Sequence, residues 1–218
     1  RRRVFCGSLM DIFEGPETMP TNAKLDVGRA RTRLAQIIDD TPWLDWLLLT
    51  KRPQNIRRFW PWDGNEYTPN VWRGYSVCTQ KDVPLIQELV KTNDLSPIAF
   101  LSCEPLLEDL NLRRIDLGDA TWDALDGDYG VEGRGHVKSH DHVHGVIAGG
   151  ESGPNARPMH PDWARSLRDQ CQAAGVPFFF KQWGEWIPYE PDVPPLWTSQ
   201  HGHSVDSHAL PSDLTRRI

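Results

Sequence analysis

The sequence predicts a partial parallel β/α barrel, because short apolar segments alternate along the chain with segments of helical pattern. Six segments are expected to be strands. They are apolar throughout rather than alternating, which is typical of parallel strands buried on both faces. A closed eight-stranded barrel takes about 250 residues. Six strands within residues 1–186 therefore predict an incomplete, TIM-like barrel whose first strand is missing.

The predicted elements follow a regular order along the chain. The strands are expected at Val4–Leu9, Trp46–Thr50, Val71–Val77, Ile98–Cys103, Val143–Ala148 and Val176–Lys181. Helices are expected at Val27–Ile38, from Pro53 to Trp60, at Asp82–Lys91, and from Pro161 to a left-handed cap at Gly175. A doubly wound open sheet is the competing fold, but no GxGxxG sequence follows any predicted strand.

Two segments depart from this alternation and set the predicted domain organisation. Residues 113–142 are polar and rich in Gly and Asp, and they are interpreted as an excursion between the fourth and fifth strands of a barrel domain spanning residues 1–186. Residues 187–218 are rich in Pro, His and Ser with little periodicity, which predicts a loosely attached tail.

Composition excludes several classes of protein. The net charge of −6 argues against a default nucleic-acid binder, since such binding works mainly through Lys and Arg on phosphates. No apolar run is long enough to cross a membrane. The four cysteines are far apart and form no CxxC pair, which predicts reduced thiols in a cytoplasmic protein rather than a zinc site or a disulfide scaffold.

Polar residues follow the predicted strands, at the edge where parallel β/α proteins bind ligands. Five charged residues are predicted to share one pocket and to act in catalysis: Asp11, Lys51, Glu104, Glu151 and Lys181. Further strand-end residues are predicted to bind the ligand: Ser8, Thr50, Arg52, Ser76, Ser102, Gly149, Gly150, Ser152, Gln182 and Trp183. In the alternative interpretation the carboxylates only cap helices or pair with the lysines.

A group of histidines in the polar excursion resembles a metal cluster at first sight. His136, His140, His142 and His144 occur in the sequence HVKSHDHVH, whose spacing matches no closed zinc pattern. We interpret them as a solvated loop and predict no metal site in this chain.

The motifs TKRP, SCEPLL, GGESGPNARPMHPDW and FFFKQWGEW, within roughly Arg3 to Trp186, resemble a family of phage- and prophage-associated proteins of unknown function. The resemblance implies a preceding segment with three close cysteines, similar to the cluster-binding loop of radical S-adenosylmethionine enzymes, whose fold is a partial β/α barrel. It therefore implies S-adenosylmethionine and a 4Fe–4S cluster as cofactors of the full-length protein, with neither held by this chain alone.

Three functions remain open from the sequence. The first is the core of a radical S-adenosylmethionine-like enzyme of unknown substrate. The second is a non-catalytic phage accessory module that binds nucleic acid or a protein partner, supported by the basic pair Lys51–Arg52 and the ten Trp. The third is a metal-independent hydrolase or lyase that uses Glu104 and Glu151 as an acid–base pair.

Overall fold

The computed structural model describes residues 1–6, 10–18, 21–131, 133–188 and 197–199. In chain order its strands are β1 (Arg2–Cys6), β2 (Leu44–Thr50), β3 (Val71–Ser76), β4 (Ile98–Cys103), β5 (Ile115–Asp116), β6 (Ala120–Trp122), β7 (Asp128–Val131), β8 (Gly135–Lys138), β9 (Gly145–Gly149), β10 (Phe178–Gln182), β11 (Trp186–Pro188) and β12 (Trp197–Ser199). The α-helices are α1 (Thr21–Asp39), α2 (Ile86–Val90) and α3 (Pro161–Ala174).

The main sheet confirms the predicted fold class. Its six strands lie in the order β1-β2-β3-β4-β9-β10, and every neighbouring pair is parallel. The sheet is curled into a half-barrel. Because every pair is parallel, all the strands point the same way and their carboxyl ends meet at one edge.

Several predicted boundaries were wrong. The helix expected from Pro53 to Trp60 is a single 3-10 turn at Pro53–Asn55 followed by non-helical turns. The helix expected at Asp82–Lys91 is split between a 3-10 turn at Val83–Leu85 and the five-residue α2. Helix α1 is longer than predicted, at Thr21–Asp39. Pro53 and Pro84 both lie in the 3-10 turns, whose first positions tolerate a residue without a free N–H.

The strand ends that the structure describes also shift by one or two residues. The first strand begins at Arg2 rather than Val4, and its predicted end falls on residues 7–9, which lie outside the described part of the chain. The fifth begins at Gly145 rather than Val143, because Val143 instead donates its N–H to the carbonyl of Ala124. The sixth begins at Phe178 rather than Val176. Ile98–Cys103 matches the prediction.

The polar excursion between β4 and β9 is a folded antiparallel meander rather than an irregular loop. Strands β5, β6, β7 and β8 pair in sequence. On one face Ile115 and Trp122 are buried and belong to the same hydrophobic core as the half-barrel. Buried residues alternate with more exposed ones along β5 and β6, as they do in strands with one buried face. The polar composition of the segment hid this pattern in the sequence.

Helix α3 is defined by capping at both ends. The His160 ring accepts a hydrogen bond from the N–H of Asp162 at 3.2 Å, Pro161 occupies the first turn, and Gly175 adopts a left-handed φ of 72° at the C-terminus. The buried face carries Ala164, Leu167 and Cys171. The predicted start and the predicted glycine cap are both confirmed.

The hydrophobic core lies between the convex face of the main sheet and the helices. Alternate strand residues such as Leu48, Leu101 and Val146 point into it, where they join Ile38 of α1 and Leu167 of α3. The opposite residues of each strand face the concave side, since side chains alternate along a strand.

Arg73 of β3 also points into this core and is fully buried. Its Nε donates to Ser96 Oγ at 2.7 Å, Nη1 donates to Leu89 O and to Thr92 Oγ1, and Nη2 donates to Asn93 Oδ1 and Ser96 O, both at 3.0 Å. All five N–H groups of the guanidinium therefore have acceptors. Burial lowers the pKa of Arg73 to about 10, which still leaves the group charged at neutral pH.

Beyond β10 the described chain forms one further structure. Strand β11 pairs with β12 in a two-stranded antiparallel sheet, so parts of the predicted tail are strands. Residues 189–196 and 200–218 of the predicted tail lie outside the described residues. No helix in the described part of the chain is long and apolar enough to cross a membrane.

The buried guanidinium yields a stability prediction. Replacing Arg73 with Met removes five donors and leaves buried acceptors unpaired, so we expect a loss of about 3 kcal/mol or more in the free energy of unfolding. Arg73→Lys retains the charge but has only three donors and should fall between Met and wild type. Urea denaturation measures this, with the exposed Arg33→Met as control. Equal stability of Arg73→Met and Arg33→Met would contradict the prediction.

Candidate functional site

The carboxyl ends of β4, β9 and β10 bring four predicted site residues together. The ammonium of Lys181 lies 3.1 Å from Oε1 and 3.4 Å from Oε2 of Glu104. Ser102 Oγ donates to Glu104 Oε2 at 3.5 Å. The Glu104 carboxylate also lies over Gly149, where a Cβ would approach its Oε1 too closely. A strand-end ion pair between residues 77 positions apart confirms that this part of the chain converges.

The two partners of the Glu104–Lys181 pair differ in exposure. The Glu104 side chain is 18% exposed, whereas the Lys181 side chain is 53% exposed. The carboxylate is therefore positioned by its neighbours, while the ammonium has room for a further acceptor. Such an exposed pair contributes little to stability on its own.

Asp11 belongs to a separate network at the ends of β1 and β2. Its Oδ2 accepts from Thr50 Oγ1 at 2.9 Å, from the Lys51 N–H at 3.0 Å and from Arg52 Nη1 at 3.2 Å, while Oδ1 accepts from the N–H of Phe13 at 3.0 Å. Arg52 also pairs with Glu14 at 3.0 Å. These contacts tie the loop after β1 to the end of β2, which is a structural role for Asp11, Thr50 and Arg52.

Glu151 is held by Arg157, a residue that the sequence reasoning missed. Arg157 Nε donates to Glu151 Oε2 at 2.7 Å and Nη2 donates to Oε1 at 2.9 Å. The backbone N–H of Arg157 donates a third hydrogen bond, to Oε2 at 2.9 Å. The hydrogen bonds from the Arg157 side chain lower the pKa of Glu151 to about 2. The alternative interpretation, in which Glu151 pairs with a lysine, does not hold, because the arginine six residues downstream reaches it bidentately. The arginine was visible in the motif GGESGPNAR.

The loops after β9 and β10 are joined through their backbones. A Cβ at Gly150 would overlap the Trp183 carbonyl, and one at Gly184, whose φ is 86°, would overlap the Glu151 carbonyl. The Gly150 N–H donates to Gln182 O at 3.0 Å. Both glycines are therefore required for this close backbone approach. A Cβ at Gly149 would meet the Glu104 carboxylate and one at Gly150 the Trp183 backbone, and the predicted ligand-binding role of the two glycines stays a prediction.

Side-chain hydrogen bonds also connect the loops after β9 and β10. Gln182 Nε2 donates to Ser152 Oγ at 3.0 Å, and Trp186 Nε1 donates to the Ala156 carbonyl at 2.6 Å. The Trp183 ring contacts Phe180 edge-on at a centroid distance of 4.7 Å and packs against the core. Gln182 and Ser152 thus bind each other, and Trp183 packs against the core, while the ligand-binding role predicted for these three residues stays a prediction.

The end of β3 lies between these two groups of residues. Ser76 is buried and pairs in register with Ser102. Cys78 is half-buried, and its thiol donates to the Glu104 carbonyl at 3.7 Å. Burial raises the pKa of Cys78; Asp82 raises it further, while Lys51 and Arg157 lower it. Lys51, which follows β2, and Arg157, in the loop after β9, therefore both act on the Cys78 thiol. Cys78 was not among the predicted site residues.

The predicted residues thus divide into groups. Glu104, Lys181, Ser102 and Gly149 meet directly, and Lys51 and Glu151 are near enough to Cys78 to affect its pKa. Asp11 is committed to its own network. Ser8 lies outside the described residues. A single pocket lined by three of the five charged residues stays a prediction.

The solvated loop predicted for the histidines is correct only in part, since His136 and His140 are exposed whereas His142 and His144 are half-buried. His136 is exposed and pairs with Asp128 at 2.8 Å. His144 is half-buried, and its Nδ1 accepts from the Ala99 N–H at 3.1 Å, while the His142 ring packs on it at 5.0 Å. Burial lowers the pKa of His144. The described residues contain no group of three or more His, Cys, Asp or Glu arranged to hold a metal ion.

Comparison with known proteins gives one match. The sequence model of a family described as protein of unknown function (DUF5131) matches residues 1–212, which span the half-barrel and all of its strand-end motifs. No curated protein and no solved structure matches the chain.

The Glu151–Arg157 pair yields a prediction of pH dependence. The pKa of Glu151 falls from an ordinary 4.5 to about 2 on folding, so its contribution to stability is present above about 4.5 and is lost as the pH falls towards 2. Glu151→Gln should therefore be less stable than wild type at pH 7, and the difference should shrink over that range. Denaturation at several pH values measures it.

The matched control is Glu66→Gln, an exposed carboxylate with no side-chain partner among the described residues. Its stability difference from wild type should be small at every pH. A Glu151→Gln difference that does not change between pH 7 and the acid range would contradict the assignment of the ion pair.

Proposed function

The chain belongs to the DUF5131 family, and from this premise we propose that it is the barrel domain of a radical S-adenosylmethionine-like enzyme. Its role in that enzyme is to bind and orient ligands at the strand ends. The observation that carries the proposal is the Glu104–Lys181 pair, set beside Gly149 at the carboxyl ends of three adjacent parallel strands. The half-barrel is the scaffold that the resemblance implies.

The charges of this pair are complementary to an aminocarboxylate. S-Adenosylmethionine carries one ammonium and one carboxylate, and Glu104 and Lys181 offer the matching opposite charges. The chemistry of these residues therefore fits the cofactor. When bound, S-adenosylmethionine supplies the group whose cleavage starts radical reactions, and the contribution of this chain is to hold its polar end.

The cysteines of the chain do not fit an iron–sulfur cluster. Cys103 and Cys171 are buried in the hydrophobic core. Cys6 ends β1 and Cys78 follows β3, and no three metal-binding side chains group together among the described residues. Cluster ligation needs several adjacent thiolates. The proposal accordingly assigns the cluster to a cysteine segment outside this chain, as the resemblance implies, and assigns no reaction step to the cysteines here.

The other two functions have less support. Arg52, Arg57 and Arg58 each pair with an acidic side chain, which offsets the basic character that a nucleic-acid surface would need. An acid–base pair of Glu104 and Glu151 is disfavoured because a carboxylate with a pKa of about 2 is a weak base at neutral pH.

The proposal includes a cytoplasmic location and a phage association. The location is supported by the four thiols, which are all free. The phage association is carried over from the resemblance of the strand-end motifs.

The strand-end pair yields a prediction of cofactor binding. Wild-type protein should bind S-adenosylmethionine in equilibrium dialysis, and Glu104→Gln and Lys181→Met should each weaken binding about tenfold, since each removes one charged contact. Glu66→Gln serves as the control for a lost carboxylate and should bind as wild type does. Absence of binding to wild type, or equal binding by all variants, would contradict the proposed site.

The cysteine arrangement yields a second prediction. Anaerobic incubation of this chain with iron and sulfide, followed by desalting, should leave no stoichiometric iron or sulfide on the protein, because its thiols are dispersed. A retained chromophore that is lost in Cys78→Ser would show that the assignment of the cluster to another segment is wrong.

A further inference from the structure

Lys181 lies in a β-bulge at the end of an outer strand. Phe180 pairs with Ala148 and Gln182 pairs with Gly149, so Lys181 is the extra residue and has no partner in the register. Among the described strands of the main sheet, β10 has β9 as its single neighbour. The regular hydrogen bonding of the sheet therefore does not fix the direction of the Lys181 side chain, and that direction depends on the residues that follow the bulge.

The residues after the bulge are held by the loop after β9. The Gly150 N–H donates to Gln182 O at 3.0 Å, and the Glu185 N–H donates to Glu151 O at 2.7 Å. Between these two hydrogen bonds, Gly184 adopts a φ of 86° and lies directly against the Glu151 carbonyl. The backbone of Glu151 therefore determines the path of the chain as it leaves the bulge.

Arg157 in turn fixes Glu151. Its backbone N–H and its guanidinium donate three hydrogen bonds to the carboxylate, and the bidentate geometry fixes the direction of the carboxylate as well as its distance. The position of Arg157 is itself well defined, because Met159 is buried and the His160 ring caps the first turn of α3. The ion pair thus connects the strand-end loop to a helix that packs in the core.

The Glu151–Arg157 pair also lies close to the Glu104–Lys181 pair. Burial is the main cause that raises the pKa of the Cys78 thiol, and the charges of Glu151 and Arg157 both act on it as well. The same thiol donates to the Glu104 carbonyl at 3.7 Å. The two ion pairs therefore belong to one region of the strand-end edge.

We propose that Arg157 is a positioning residue of the strand-end site, which acts on Lys181 through Glu151 and the backbone after β10. Arg157 sets the direction of the Lys181 ammonium and keeps it in contact with Glu104, without touching the ligand itself. This inference rests on the proposed function, because the ammonium that Arg157 positions is the one proposed to bind the carboxylate of S-adenosylmethionine.

The first experiment measures the reactivity of Lys181 and needs no ligand. Dilute acetic anhydride at one fixed pH acetylates each lysine, and mass spectrometry of peptides gives the rate for each. Arg157→Met should raise the rate of Lys181 about threefold relative to Lys138 on β8, because an ammonium that loses its carboxylate reacts more freely. Arg157→Lys keeps the cation but not the bidentate contact, so it should give a smaller increase.

A double-mutant cycle separates positioning from a general loss of structure. Glu104→Gln removes the carboxylate that Lys181 contacts, so adding Arg157→Met to it should leave the Lys181 rate unchanged. A purely structural effect would add to that of Glu104→Gln. Arg165→Met is the matched control, because it removes an exposed arginine that pairs with Asp162 on α3 and should not alter Lys181.

The second experiment measures binding of S-adenosylmethionine by equilibrium dialysis. Arg157→Met should weaken binding about threefold when Lys181 is present and should have no effect when it is added to Lys181→Met. Equal weakening in both backgrounds would show that Arg157 acts independently of Lys181 and would overturn the inference.

The inference is also overturned if Arg157→Met leaves the Lys181 rate unchanged, or if Arg165→Met raises that rate equally. Near-ultraviolet circular dichroism shows whether each variant keeps its packing. Should Arg157→Met lose it, Glu151→Gln removes the same contact from the other side and must give the threefold increase. Labelling results as expected in a protein that does not bind S-adenosylmethionine would overturn the cofactor assignment alone.

Discussion

The buried guanidinium of Arg73 is the constraint on which the arrangement of the half-barrel depends. An arginine in a hydrophobic core is tolerated only when its charge is solvated by protein groups, and here the segment from Leu89 to Ser96 supplies every acceptor. This segment connects α2 to β4. The side chain of β3 therefore fixes where the next strand begins, and with it the height at which Ser102 and Glu104 reach the strand-end edge.

The strand-end edge is built from two parts of different character. At β1 and β2, Asp11 and Arg52 close a loop through contacts that leave little room for a ligand. At β9 and β10, Gly150 and Gly184 join two loops by direct backbone contact. Between them, Lys51, Cys78 and the Glu104–Lys181 pair occupy the central strands. Rigid flanks around a polar centre are a suitable basis for orienting a ligand.

Much of the fold could be predicted, because apolar strands and helix caps are local signals. Ile98–Cys103 and the Pro161–Gly175 helix follow directly from their own residues. The meander at residues 113–142 could not be predicted so readily, since its strands have only two to four residues and bury one face. Short strands depend on distant packing, which local composition does not report.

The candidate site was predictable as a location but not as a set of contacts. The rule that parallel strands present their carboxyl ends together correctly brought Glu104 to Lys181. It could not assign Glu151 to Arg157, because the choice between an arginine in the same loop and a lysine on another strand depends on loop conformation. Cys78 was overlooked because a single thiol carries no spacing signal, although three strand ends surround it.

The half-barrel has a further consequence for how the protein behaves at high concentration. Among the described strands, β1 and β10 each have one neighbour, so the sheet presents two edges that could add to each other in an open-ended ribbon. The β1 edge is basic, with exposed Arg2 and Arg3, whereas on β10 the charge of Lys181 is paired with Glu104. Charged side chains on an edge strand disfavour its pairing with a further strand. Arg2 and Arg3 are therefore expected to hinder addition at the β1 edge, and raising the salt concentration should weaken that effect.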